Sequence, residues 1–125
     1  MEKKIIATTN APGAIGPYSQ AVVCGGLVYT SGQIAIAPAT GDLAGADIAT
    51  QSEQVMKNLG AVLAAAGSSY EKAIKTTCFL ADIADFATFN EIYGRYFTEK
   101  PARSCVAVKA LPKGALVEVE VIAEV

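Results

Sequence analysis

The chain contains no histidine. That absence removes the Ser–His–Asp triad, the Cys–His pair and His-ligated zinc or haem. Charge is scarce as well: 18% of residues are Asp, Glu, Lys or Arg, against roughly 25% in a typical soluble domain. Long apolar runs are missing, although 52% of the residues are hydrophobic. Alanine inflates that share, and no run reaches the roughly 18–20 residues of a spanning helix. Met1-Glu2-Lys3-Lys4 leads only into Ile5-Ile6-Ala7, too short for a signal-peptide core. Cysteine is limited to Cys24, Cys78 and Cys105, an odd number with no CxxC pair. Free thiols in a cytoplasmic protein are expected, with no structural metal and no membrane partner. The net charge of −2, with ten scattered Lys and Arg, argues against nucleic-acid binding, which needs clustered basic residues.

What remains is a chain of 125 residues. At about 100–200 residues per domain, residues 1–125 are expected to form one. No repeat or linker interrupts it. Asn10–Gly16 and Pro38–Gly45 read as loops from their Pro, Gly and turn residues. Hydrophobic periodicity predicts a helix over Asp47–Ala66, where Ile48, Val55, Leu59, Val62, Leu63 and Ala66 recur at three- and four-residue spacing. Asp47 is its N-cap candidate and Gly67 its stop. A second helix is predicted over Asp85–Phe97, with Asp85 as cap. Its apolar face is Phe86, Phe89, Ile92, Tyr93, Tyr96 and Phe97, and Gly94 is a candidate for close backbone approach.

Six segments read as strands: Lys3–Ala7, Gln20–Cys24, Leu27–Ser31, Ile74–Ala81, Arg103–Val108 and Leu116–Ala123. Gly25-Gly26 marks a hairpin. The order β-β-β-α-β-α-β-β predicts an α+β sandwich, a six-stranded mixed sheet with two helices on one face. Two helices leave the other face bare. The low charge fits that picture if the bare face is hidden against further copies of the chain.

Chemistry is concentrated in the last two strands. Val117, Val119 and Val121 alternate with Glu118 and Glu120, so the valines face the helices. The glutamates share the open face, roughly 7 Å apart. They read either as a solvated strand face or as carboxylates for acid–base work. Pro101-Ala102-Arg103-Ser104-Cys105-Val106 puts Arg103 and Cys105 on one face of its strand, and Arg103 is expected to join Glu118 on the open face. Arg103 is either a surface charge or the anion anchor, since its planar fork captures carboxylates bidentately. Cys105 reads as a small buried hydrophobe. Tyr18 follows a stiff Gly16-Pro17 turn and either caps the core or serves a ligand. Gly32, after Ser31, permits close backbone approach, so its N–H is free to meet a ligand oxygen. Ser31 lacks a histidine base and is a poor nucleophile.

Four stretches carry a resemblance: Ala14-Ile15-Gly16-Pro17-Tyr18-Ser19-Gln20-Ala21, Thr30-Ser31-Gly32-Gln33-Ile34, Pro101 to Val106, and Val117-Glu118-Val119-Glu120-Val121-Ile122-Ala123. Lys75-Thr76-Thr77 and Asp85 to Asn90 fit as well. Together they resemble the reactive intermediate deaminase A (RidA, or YjgF) family over essentially the whole chain. The resemblance implies a chorismate-mutase-like fold and a barrel-like homotrimer with ligand clefts between subunits. The implied activity is hydrolysis of 2-imino acids, such as 2-iminobutanoate and 2-iminopropanoate, to 2-oxo acids and ammonia, with no cofactor or metal. Relatives also suggest two other roles, a non-catalytic carboxylate-binding or regulatory trimer and a ribonuclease or translation inhibitor.

By the same resemblance, Arg103 takes the substrate carboxylate and Glu118 holds and activates the attacking water. The Cys105 carbonyl helps hold that water or the imine nitrogen. Ser31, Gly32 and Asn90 line the site, Phe89 adds apolar wall, and Tyr18 packs over the ligand from a neighbouring subunit. One departure stands out. Lys100 occupies a position where the family often has an aromatic residue, and the loop before Pro101 is short.

Overall fold

The computed structural model describes residues 1–125. Its elements are β1 (Lys3–Ile6), β2 (Ala21–Cys24), β3 (Leu27–Thr30), α1 (Ile48–Ala65), β4 (Ala73–Leu80), α2 (Phe86–Tyr96), β5 (Ala102–Ala107) and β6 (Val117–Glu124). Each lies within one residue of its predicted boundaries. The six strands form one sheet in the order β1-β2-β3-β6-β4-β5. All neighbours are antiparallel except β4 and β5. Strand β6 enters between β3 and β4, which therefore run parallel to each other. Both helices thus follow strands that return in the same direction, and such crossovers carry helices over one face.

Local chemistry explains the boundaries. Gly25 and Gly26 both have positive φ, 61° and 79°, the conformation a two-residue hairpin turn requires. The Asp47 carboxylate accepts the Thr50 N–H at 2.9 Å and caps α1. Gly67, at φ 79°, ends it, and Ser68 N–H returns to the Leu63 carbonyl at 2.8 Å. The N-cap expected at Asp85 is absent. A short 3-10 turn, Ile83–Asp85, runs into α2 and leaves Asp85 helical without a side-chain cap bond. Asp82 caps that turn instead, accepting from Ala84 N–H at 2.9 Å.

The core lies between the helices and one sheet face. Val117, Val119, Val121 and Ala123 of β6 are buried there, against Val55, Met56, Leu59, Val62 and Leu63 of α1 and Phe89 and Ile92 of α2. Each fully buried Val or Leu contributes on the order of 1.5–3 kcal/mol. The opposite face has no layer over it. It presents Ile5, Tyr29 and Val106 to solvent at 69%, 44% and 47% exposure.

Two glycines have contrasting surroundings. Gly94, expected to admit another backbone, faces open space within this chain. Gly60 is the crowded one: a Cβ there would meet the Tyr70 hydroxyl at 2.2 Å. Tyr70 uses that hydroxyl to donate to the Met56 carbonyl at 2.6 Å, closing the end of β4's approach onto α1. Gly60→Ala is therefore expected to lower stability by about 1–3 kcal/mol through overpacking, measured as an earlier urea midpoint. An unchanged midpoint would show that Tyr70 swings away freely.

Candidate active site

The two strongest candidates, Arg103 and Glu118, sit on opposite faces of the sheet. Thr76 pairs with both Arg103 and Val121, and Cys78 with both Cys105 and Val119. Arg103 and Cys105 therefore share the helix face with the buried valines. Phe79 pairs with both Glu118 and Val106, which puts Glu118 on the open face. The strand alternation expected within β5 and within β6 is present. Their placement on one common face is not, because it depends on how β4 registers the two strands.

Glu118 lines a cavity of about 250 Å³ together with Tyr18, Gly32, Ile15, Ile34 and Pro112. Its carboxylate has no ion-pair or hydrogen-bond partner in the chain. Burial pushes its pKa above the ordinary 4.5, and the neighbouring Glu120 charge adds to the shift. A carboxylate in this state holds a proton more readily and is a stronger base once ionised.

Gly32 cradles it. A Cβ at that position would lie 2.8 Å from the Glu118 carboxylate, and the Gly32 N–H makes no backbone hydrogen bond. The end of a glutamate side chain yields easily. Gly32→Ala is thus expected to keep the melting temperature while moving the carboxylate and cutting turnover at least tenfold. Wild-type turnover in that variant would remove Gly32 from the site.

The loop above the cavity is built by hydrogen bonds that the sequence does not announce. Ser31 donates its hydroxyl to the Ser19 carbonyl at 2.5 Å, and its N–H meets the Gln20 carbonyl at 2.9 Å. The Ser31 hydroxyl proton is thereby engaged in holding the Tyr18 loop. Gln20 is buried and clamps the preceding loop, its amide donating to the Pro12 carbonyl at 2.7 Å and accepting from Thr8 N–H at 2.7 Å. Asn58 of α1 holds the far wall through the Ile34 and Ile36 carbonyls. Tyr18 is half exposed over this cavity and does not cap the core.

Arg103 lies at the sheet edge, where β5 pairs only with β4. Arg103 has no carboxylate partner. Its Nη1 donates to Asn90 Oδ1 at 2.6 Å. Its guanidinium carbon sits 4.8 Å from the Tyr93 ring centre and 5.5 Å from that of Phe86. The rings cover a guanidinium face and leave N–H donors at its edge free for an anion.

Phe89, expected as an apolar wall, is fully buried and packs on Tyr93. Phe86 stands in its place beside Arg103. Residues 86, 90 and 93 follow three- and four-residue spacing, so a stripe of α2 facing Arg103 was readable once Asn90 had been singled out. Cys105 lies beside Cys78, and both are free thiols. Burial raises both thiol pKa values, that of Cys78 to about 12, which leaves them un-ionised at neutral pH. No three Cys, Asp or Glu side chains converge as a metal cluster would. No helix is long and apolar enough to cross a membrane.

The fold and these residues define a class: a six-stranded α+β chain carrying an arginine without an ion-pair partner on its edge strand and a carboxylate without one in a cavity on the bare face. Residues 8–125 match the family described as Endoribonuclease L-PSP. The chain belongs to that family, which is the RidA/YjgF/RutC family its motifs resemble. A human relative named 2-iminobutanoate/2-iminopropanoate deaminase is 48% identical over 97% of this chain and 89% of its own. A Lactococcus lactis relative, whose name AldR designates a regulator, is 55% identical over 98% of each chain. Among solved structures, E. coli TdcF with bound serine superimposes with a TM-score of 0.93 at 48% identity, covering 98% of each chain.

Proposed function

We propose that this protein hydrolyses 2-imino acids to 2-oxo acids and ammonia at a site completed by a second copy of the chain. The observation that carries this reading is a pair of charged groups without an ion-pair partner, the Arg103 guanidinium and the Glu118 carboxylate, on opposite sheet faces. Neither side chain is satisfied within one subunit. Packing the open face of one copy against the edge strand of another, as in a closed trimeric ring, would bring them together and cover Ile5, Tyr29 and Val106.

The chemistry needs little. Arg103 takes the substrate carboxylate through its free edge. Glu118, ionised, removes a proton from a water as that water attacks the electrophilic C=N carbon. The protonated Glu118 then returns the proton to nitrogen and, ionised again, takes the proton of the new hydroxyl as the C=O forms and ammonia leaves. The Gly32 N–H, Asn90 and the Cys105 carbonyl fix water and nitrogen, while Tyr18 covers the ligand from the subunit that supplies Glu118. Positioning of this kind can supply a large share of a modest rate acceleration. The human relative's name supports this substrate class, and the serine bound to TdcF supports a site for small amino-acid-like carboxylates.

A second reading, a ligand-binding or regulatory trimer without turnover, is favoured by the name of the AldR relative. RNA cleavage, named in the family's description, fits poorly with a chain of net charge −2 and no histidine. The deciding experiment generates 2-iminobutanoate in situ and follows its decay. Acceleration by the protein is expected; binding of 2-oxobutanoate without any acceleration would favour the regulatory reading.

A further inference from the structure

The Arg103 head group is supported by a buried pair of hydroxyls. Thr76 and Tyr93 share a hydrogen bond of 2.6 Å between their oxygens. Thr76 is fully buried and Tyr93 is 7% exposed. The Tyr93 ring is held from behind as well. It stacks on Phe97 at 4.7 Å with an interplanar angle of 28°, and lies 5.6 Å from Phe89. The Arg103 guanidinium then rests on this fixed ring at 4.8 Å.

The connectivity closes on itself. Thr76 is the register partner of Arg103 in the β4–β5 pair. The residue beside the Arg103 backbone therefore holds the ring that carries the Arg103 side chain. Backbone, hydroxyl pair, ring and guanidinium form one loop, with Asn90 adding a second fixed point at 2.6 Å. Packing alone does not call for such a pair. Valine and phenylalanine have nearly the same shapes and would fill the same space without burying two hydroxyls, each of which loses its water on burial. An arginine waiting for an anion, by contrast, has many rotamers to lose, and fixing it beforehand lowers the entropic cost of binding.

We propose that Tyr93 and Thr76 are positioning residues that hold the Arg103 guanidinium ready for the substrate carboxylate. Neither touches the reacting atoms; both act through Arg103. The proposal rests on Arg103 as the carboxylate anchor in the function proposed above, and it adds what makes that anchor rigid.

The test uses calorimetry with 2-oxobutanoate and with its neutral amide, 2-oxobutanamide, alongside the imine-decay assay. Tyr93→Phe and Thr76→Val keep the shape and remove the hydroxyl bond. Each is expected to weaken 2-oxobutanoate by about threefold to tenfold, in line with a loosened cation–π support, and to leave 2-oxobutanamide unchanged. The KM for 2-iminobutanoate rises by the same factor while kcat stays constant. A purely structural role would weaken both ligands alike, lower kcat, or unfold the isosteric variants, and each of these overturns the proposal. So does unaltered affinity for 2-oxobutanoate. If the wild type shows the acid-over-amide pattern and its sensitivity to both variants but does not hasten imine decay, the hydrolase reading fails and the positioning role stands. If imine decay is accelerated and both variants behave as wild type, the reverse holds.

Discussion

Arg103→Ala is expected to reduce kcat/KM for 2-iminobutanoate by about a hundredfold or more, chiefly through KM. Hydrogen bonds to charged groups contribute about 1.5–3 kcal/mol each, and a bidentate arginine makes two. No other cation shares this edge of the sheet in a comparable setting. Lys75 is on the open face, donating to Ser104 Oγ at 3.4 Å, and Arg95 is paired with Glu53 and Glu91 on the outer helical surface. Arg103→Lys should recover only part of the loss. A lysine keeps the charge but cannot lie flat on Tyr93 while offering a forked edge. Michaelis constants for the two variants, with melting curves to establish folding, check this. A full-strength Arg103→Ala enzyme would contradict it.

Glu118→Gln is the second large effect, and it falls on kcat. Removal of a general base costs about 10²–10⁴ in rate, whereas affinity for 2-oxobutanoate should change little. The pH profile supplies an independent check. In the proposed reaction Glu118 must be ionised to activate water, and burial with the adjacent Glu120 charge raises its pKa above 4.5. The acid limb of the wild-type rate therefore lies above the ordinary carboxylate range, and Glu118→Gln should abolish that limb. The same shift has a sign for stability. A carboxyl whose pKa is raised on folding favours the folded state when protonated, and that contribution is lost as pH rises through the raised value. Glu118→Gln should accordingly melt higher than wild type at neutral pH, with the gap closing below 4.5. Closure of a second copy over the cavity would bury the carboxylate further and widen the gap.

The helices and strands were legible because their periodicities are long and clean. The alternation of Val117, Val119 and Val121 with Glu118 and Glu120 determines the face of β6 from local sequence alone. What local sequence does not contain is the register between distant strands. Arg103 and Glu118 each alternate as expected, but they face opposite ways because Thr76 and Phe79 of β4, an intervening strand, place them so. That separation keeps the two side chains from meeting within one chain. Phe89 was misplaced for a similar reason: helical spacing marks an apolar stripe, but which of its residues reaches the core and which reaches Arg103 depends on how α2 sits on the sheet. Asp85 failed as a cap because the turn before it extends the helical path by three residues. The loop clamps of Gln20 and Asn58 leave no local pattern, since their amides reach carbonyls 8 and 22 residues away.

The central claim is that Arg103 and Glu118 act together across two subunits. Mixing is its most direct test. Arg103→Ala and Glu118→Gln chains, each nearly inactive alone, would be unfolded together in equal amounts, refolded and assayed for 2-iminobutanoate decay. With Arg103 from one chain and Glu118 from the next, random assembly leaves roughly a quarter of the sites intact. The mixture should therefore regain about that share of wild-type activity. A mixture no more active than the two variants alone, despite verified mixed assemblies, would place both residues in one chain's site and contradict the claim.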